Sequence, residues 1–281
     1  MRAIAIAAAI LLTLPSAAVS AQQPALLFGV VPQQAASQLA RLWMPLTSYL
    51  SRTTGREIRF ATAKDIPTFE SCLAKRAYDI AYMNPYHYVI FREFGYDAIA
   101  RERQNRLQGL LVTAKDSPIQ SLSDLSGQTV AFPSPAAFAA SVLPRAEMTA
   151  RGIPFNPAYV KSHDSVYLGV AEGLFVAGGG IERTWNTLKP EVRDKLRIFY
   201  STIAYMPHPI TVQNTVDPAL RAKIVAALEE VSEREPALVE ALGMIGFESG
   251  KHKDWDDVRA LGLTREQTDV IDEAGYQCRS D

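Results

Sequence analysis

Twice in this chain an apolar, strand-like run ends in a small polar residue plus proline and then turns helical. The first instance is Asp79-Ile80-Ala81-Tyr82-Met83, then Asn84-Pro85, then Tyr86-His87-Tyr88-Val89-Ile90-Phe91. The second is Thr129-Val130-Ala131-Phe132-Pro133, then Ser134-Pro135, then Ala136-Ala137-Phe138-Ala139-Ala140. Asn and Ser are favoured helix N-caps, and proline suits the first helical position. Each junction therefore predicts a strand that delivers a helix N-terminus to one edge of a sheet. Unpaired N–H groups and the positive end of the helix dipole suit that place to anions. A third candidate is His163, between Ser162 and Asp164 and just ahead of a predicted helix. Its imidazole there is a donor to an oxyanion, with a charge that responds near neutral pH. Arg183 has the fork geometry for bidentate anion pairing. His208, held between Pro207 and Pro209, is a rigid contact between lobes or a ligand donor.

Each of these residues also has a plain structural reading. Ser134 and Asn84 serve as caps without any ligand, an interaction worth about 1 kcal/mol. Tyr86 and Tyr88 fit the buried face of a helix. His163 fits an exposed loop with Asp164 as the cap, and Arg183 fits a solvated helix surface. Gly178-Gly179-Gly180 lacks the Gly-Lys-Ser/Thr ending of a nucleotide phosphate loop and reads as a place of close backbone approach. A hydrolase built on Ser134, His163 and Asp164 is a remote alternative. No Gly-x-Ser-x-Gly elbow is present, and Pro135 removes an N–H that an oxyanion hole needs.

The elements that must position these residues follow from hydrophobic periodicity. Strands are expected at residues 26–31, 57–61 and 79–83, with helices at 35–50 and 66–77 between them. Alternating strands and helices of this kind predict a parallel sheet with crossover helices. Pro45 is expected to kink the first helix. Strands at 96–103 and 108–114 follow, the latter leading out of a first lobe. A second lobe begins with the strand at 129–132, followed by a helix at 136–150 that Pro144 interrupts. Further strands are expected at 158–160, 175–177 and 197–200, with helices at 165–173 and 182–187. The chain then crosses back near Tyr205, and Ile210 to Val212 starts a strand suited to the first lobe. From Asp217 onward it is read as mostly helical. The expected domains are residues 22–114 plus 206–281 as lobe 1 and 115–205 as lobe 2, with two crossings that allow hinge closure.

The 281 residues are 48% hydrophobic and 21% charged with a net charge of −1, so nothing marks a nucleic-acid partner. Arg2, an apolar run to Leu14 and the small residues Ala18-Val19-Ser20-Ala21 have the pattern of a signal peptide over residues 1–21. The run is too short to span a membrane, so an exported product is expected. In an oxidising compartment Cys72 and Cys278 form a candidate disulfide, the other reading being two thiols. The four histidines show no metal-ligand spacing, and neither a metal nor a cofactor is expected.

Several segments in order carry a family resemblance. They are Phe28-Gly29-Val30-Val31-Pro32, Ala61-Thr62-Ala63-Lys64-Asp65, Asp79 to Tyr88 with its Asn84-Pro85 turn, Leu122 to Phe132, and Ser162-His163-Asp164-Ser165-Val166. Together they resemble the phosphate/phosphite/phosphonate-binding periplasmic proteins of ABC transporters, as a divergent branch. The resemblance implies an α/β type II periplasmic-binding-protein fold, with a ligand held between two lobes and no chemistry performed on it. It implies a small anionic, phosphate- or phosphonate-like ligand, a membrane permease partner, a monomer and a periplasmic location. The alternative on the same fold is the sensing subunit of a membrane histidine kinase. By resemblance the ligand residues are Tyr88 with Tyr86 nearby, Ser134 with Ala136 and Ala137 at the helix start, and His163. Ala136 and Ala137 stand where phosphonate binders carry hydroxyls, and Ile66 stands where a tyrosine is usual. Acidic residues that meet an amino group on the ligand become Arg183 and His208, or Glu182 with a shift of one residue. Phe138 makes the second junction more apolar than is usual.

Overall fold

The computed structural model describes residues 23–264 and residue 278. The expected signal peptide lies outside the described residues. Eleven strands form two sheets among them. In chain order the first strands are β1 (Leu26–Val30), β2 (Ile58–Thr62), β3 (Ile80–Tyr82), β4 (Tyr96–Glu102), β5 (Leu110–Ala114) and β6 (Thr129–Phe132). They are followed by β7 (Asn156–Tyr159), β8 (Ala177–Gly180), β9 (Leu196–Ser201), β10 (Pro209–Gln213) and β11 (Phe247–Ser249). One sheet has the order β11-β4-β10-β3-β1-β2 and the other β7-β6-β8-β5-β9.

Each sheet has a parallel centre built from crossover units. In the first, β1 pairs parallel with β2 and β3, and in the second, β6 pairs parallel with β7 and β8. The linking helices are α1 (Ala36–Thr54), α2 (Ile66–Ala74) and α3 (Pro85–Phe91) in the first lobe. In the second lobe a π turn (Phe138–Val142) runs into α4 (Leu143–Ala150), followed by α5 (His163–Ala171), α6 (Glu182–Asn186) and α7 (Pro190–Arg193). Helices α8 (Pro218–Arg234), α9 (Pro236–Ala241) and α10 (Asp256–Arg259) return to the first lobe. Helix α1 buries Leu39, Trp43, Leu46 and Leu50 on one face and continues through Pro45. It ends at Gly55, whose φ of 72° suits glycine.

The crossings lie elsewhere than expected at one point. Leu110–Ala114, read as the end of the first lobe, pairs with β8 and β9 inside the second sheet. The chain therefore leaves the first sheet after β4. An apolar run such as Leu110-Leu111-Val112 reads as a buried strand in either sheet, and only its ladder partners decide which. The outgoing and returning segments meet at an isolated bridge, with Leu107 N donating to Tyr205 O at 2.8 Å and Tyr205 N to Leu107 O at 3.0 Å. Strand β10 then enters the first sheet antiparallel to β3 and β4. Among the described residues after Asp217 the regular elements are helices apart from β11, a three-residue edge strand too short to leave a periodic signal. Cys72, at the buried end of α2, is joined to Cys278 with a Cα–Cα distance of 5.3 Å.

Candidate ligand-binding cleft

The two lobes meet at the carboxyl ends of their parallel strands, where open α/β sheets bind ligands. The first lobe contributes Val31 and Gln33 after β1, Ile66 at the start of α2, Asn84 after β3, and His208 just before β10. Ala137 to Ala140, His163 and Ile181 face them from the second. Between them lies a cavity of about 10 Å³, close to the space one water needs. The lobes therefore meet closely at this point.

Asn84 is the N-cap of α3, with its Oδ1 accepting from His87 N at 2.7 Å and Pro85 in the first turn. Its amide does a second thing. Nδ2 donates across the cleft to the carbonyl of Ala136 at 2.9 Å. One side chain thus caps a helix in one lobe and holds a backbone group of the other.

The second junction is built differently from the expectation. Ser134 is not the cap: its carbonyl accepts from Ala137 N at 3.2 Å in a turn, and the helical winding starts after Ala137. Ser134 Oγ is buried without a hydrogen-bond partner among the described residues, and Ser134 does not line the cavity. Both Ser141 N and Val142 N donate to Ala137 O. The N–H groups of Phe138, Ala139 and Ala140 have no acceptor among the described residues, and these three residues line the cavity. The winding is π because Pro144 has no N–H for the carbonyl of Ala140 and its ring crowds that carbonyl. Three glycines of β8 make room. A Cβ on Gly178 would overlap Val166, one on Gly179 the carbonyl of Ala140, and one on Gly180 the hydroxyl of Tyr167. The same glycines therefore seat both the π turn and α5.

His163 is the first residue of α5, whose cap is Ser162 and not Asp164, with Ser162 Oγ accepting from Ser165 N at 3.1 Å. Its ring is 4% exposed, with Nδ1 at 3.5 Å from Thr184 Oγ1. Burial lowers its pKa to about 4. His208 stacks on Tyr82 with centroids 5.0 Å apart, and its Nε2 lies 2.9 Å from Gln33 Nε2. Burial first, then the neighbouring Arg183, His87 and His163, hold His208 well below the ordinary histidine value. Both imidazoles are neutral at pH 7, so the expected response near neutral pH is corrected for the closed form. A neutral ring still carries one N–H donor.

Arg183 is half-buried and Glu182 exposed, and both line the larger space between the lobes. The guanidinium reaches the first lobe, with Nη2 at 3.1 Å from Glu102 Oε2 and Nη1 at 3.3 Å from Tyr82 OH. Burial opposes its charge, but Tyr82 and Glu102 outweigh that and keep it charged. It is a tie between lobes and does not line the inner cavity. Tyr86 and Tyr88 do not line it either. Both are fully buried, Tyr86 OH donating to Thr264 O at 2.8 Å and Tyr88 OH lying 3.1 Å from His252 Nδ1. They tie the C-terminal segments to the first lobe. Of the alanines, Ala137 lines the cavity and Ala136 supplies the carbonyl that Asn84 holds. Sequence reasoning did not single out Gln33, Tyr82, Glu102 or Ile181. Only the position of Gln33 shortly after a predicted strand, and of Ile181 just after Gly178-Gly179-Gly180, could have pointed to them.

Residues 28–255 match the family of periplasmic phosphonate substrate-binding proteins of ABC transporters. The chain belongs to this family. It is a periplasmic solute-binding protein, with a small ligand and a membrane permease as the partners that the family implies. Among solved structures it is similar to a binding protein component of an ABC phosphonate transporter from Pseudomonas aeruginosa. There the identity is 17%, covering 85% of this chain and 86% of that chain, with a TM-score of 0.77. It is also similar to PhnD1 from Prochlorococcus marinus in complex with methylphosphonate, at 15% identity, 85% and 97% coverage and a TM-score of 0.75. A Xanthomonas citri protein bound to ATP shares 19% identity over 84% and 95% of the chains, with a TM-score of 0.70. These likenesses show the type II periplasmic-binding-protein fold for this binding protein. No helix among the described residues is long and apolar enough to cross a membrane, and no group of three or more His, Cys, Asp or Glu there could hold a metal ion.

Proposed function

We propose that this binding protein captures a small phosphonate- or phosphate-like oxyanion in the cavity between Asn84 and the Phe138–Val142 turn and presents it unchanged to a membrane permease. The observation that carries this reading is the row of three N–H groups without acceptors among the described residues at Phe138, Ala139 and Ala140, three residues that line the cavity. Main-chain donors at a helix start suit an oxyanion without needing the side-chain hydroxyls that this junction lacks. His163 and His208 add neutral donors, and Asn84 closes the far side. Among the described residues that line the cavity none is Lys or Arg, and nearby Arg183 is engaged by Glu102. The ligand is bound by hydrogen bonds and dipoles, and opening followed by closure exchanges it.

Two observations weigh against hydrolysis. Ser134 Oγ has no imidazole within hydrogen-bond reach, and the nearest partner of His163 is Thr184. The matching family is one of transporter receptors, which favours a permease over a sensor kinase as the membrane partner. Calorimetric titration of the purified protein against methylphosphonate, phosphite, phosphate and sulfate tests the reading. One of these is expected to bind at one site and to raise the melting point, through a stabilisation of about 2.7 kcal/mol at a hundredfold excess over Kd. His163→Ala should remove that stabilisation. A flat response to all four anions would overturn the proposal.

A further inference from the structure

The inner cavity opens at Gln33, Ile181 and His208 into a second, much larger space of about 780 Å³, a volume in the range of small-molecule sites. This groove runs between the lobes toward the hinge segments. Its charged groups cancel locally. Glu102 is paired with Arg183, and Arg106 lies 3.4 Å from Asp257. Glu182 and Glu240, at its rim, are exposed to solvent. A polyanion finds no unpaired cation here, and an ammonium group finds no buried carboxylate that lacks a partner. What the groove offers in number is neutral hydrogen-bonding groups. The side-chain amides of Gln38 and Asn186, from opposite lobes, make no hydrogen bond among the described residues, and Asn105, Gln108 and Ser201 stand along the same walls. Trp185 adds an apolar surface.

We propose that this groove is a second subsite for the same ligand and receives an uncharged, hydroxyl-bearing substituent of about sugar size on a phosphoryl group. This rests on the oxyanion reading of the inner cavity. The phosphoryl end enters between the Phe138–Val142 turn and His163, and the substituent passes Gln33 and His208 into the groove. There Gln38 and Asn186 hydrogen-bond its hydroxyls from the two lobes, so the substituent itself helps to hold the lobes together. Amide side chains suit this task because each offers both donors and an acceptor.

Trp185 supplies the readout. The other two tryptophans, Trp43 and Trp255, are 2% and 0% exposed, whereas Trp185 lines the groove. Purified protein is titrated with methylphosphonate, with glucose 6-phosphate and with the methylene phosphonate analogue of glucose 6-phosphate, by calorimetry and by tryptophan emission. The sugar-bearing compounds are expected to bind at least about tenfold tighter than methylphosphonate. They should shift an emission signal that Trp185→Phe removes. The Gln38→Ala/Asn186→Ala double variant should lose that advantage and keep the methylphosphonate Kd within about twofold. The tighter of the two sugar compounds tells an ester ligand from a phosphonate. Methylphosphonate binding with no gain from the sugar would overturn the groove subsite and leave the oxyanion receptor standing. Binding of none of the three would remove both.

Discussion

The carbonyl oxygen of Ala140 occupies the space that any side chain on Gly179 would need. Pro144 cannot donate to that carbonyl, so the chain widens into a π turn, and the strand beneath it must be stripped of its Cβ to let the turn settle. Phe138, Ala139 and Ala140, which line the cavity, belong to this turn. Gly179→Ala is therefore expected to destabilise the protein by about 1–3 kcal/mol through overpacking. Anion affinity should fall by more than about tenfold, because the N–H row is displaced. Melting curves and calorimetry on the variant check both. Ordinary affinity with a displaced melting point would separate the turn from the ligand.

Arg183 and Glu102 sit on opposite lobes at 3.1 Å, with Glu102 also accepting from Asn105 Nδ2 at 2.7 Å. Breaking the pair should favour the open form of the unliganded protein. Arg183→Ala and Glu102→Ala are each expected to increase the radius of gyration in small-angle scattering. The double-mutant cycle in stability should show a coupling of about 1–3 kcal/mol. Additive effects would mean that the tie does not stabilise closure.

Asn84 carries two separable tasks. Asn84→Asp keeps an acceptor for His87 N but has no donor for the carbonyl of Ala136, and it places a negative charge at the cavity wall. The helix cap should survive and anion binding should be lost. Asn84→Ala removes the cap as well, at an expected further loss of about 1 kcal/mol. Comparing the two variants by melting point and by titration tests this division.

His163 gives the stability of the protein a direction in pH. Its pKa is lowered by burial to about 4 in the folded chain, against 6.5 when unfolded. Between those values the unfolded state binds a proton that the folded state does not, so stability falls as pH drops from 6.5 toward 4. The contribution at neutral pH that is lost on acidification is roughly 3 kcal/mol. His208 acts in the same direction. His163→Gln should flatten the difference in melting point between pH 7.5 and pH 4.5. An unchanged difference would show that the ring is not protonated on unfolding.

The bond between Cys72 and Cys278 spans 206 residues of sequence. In the chain-entropy description a loop of this length is worth up to about 5 kcal/mol. The Cys72→Ala/Cys278→Ala variant should melt well below the parent while retaining anion binding, since neither cysteine lines the cavity. Equal melting points would place the stabilisation elsewhere.

Most of the secondary structure and the two-lobed plan were legible because they are written in local patterns. Alternating apolar runs, the Asn84-Pro85 junction and the order of crossover units are all read over a few residues. The family segments from Phe28 to Val166 reinforced that reading. Asn84 stood out by its place after a strand, Ala137 and His163 by the family resemblance, and His208, between two prolines, had two open readings; all four line the cavity. Other roles depended on packing at a distance. Tyr86 and Tyr88 lie on the same short helix that Asn84 caps, yet the C-terminal segments take them into the core. Ser134 lost the capping role because its carbonyl closes a tight turn with Ala137 N and the helical winding starts only after Ala137. Leu110–Ala114 changed lobes because a buried strand carries no mark of which ladder it joins.

The sequence by itself determined that a strand would end in a proline-marked turn into helical winding twice, at Asn84-Pro85 and at Ser134-Pro135, since capping and proline geometry act on adjacent residues. Only the tertiary structure decided which donors face the cavity and which charges are already taken. Burial of His163 and the pairing of Arg183 with Glu102 arise between residues far apart in the chain, brought together when two separate sheets close on each other.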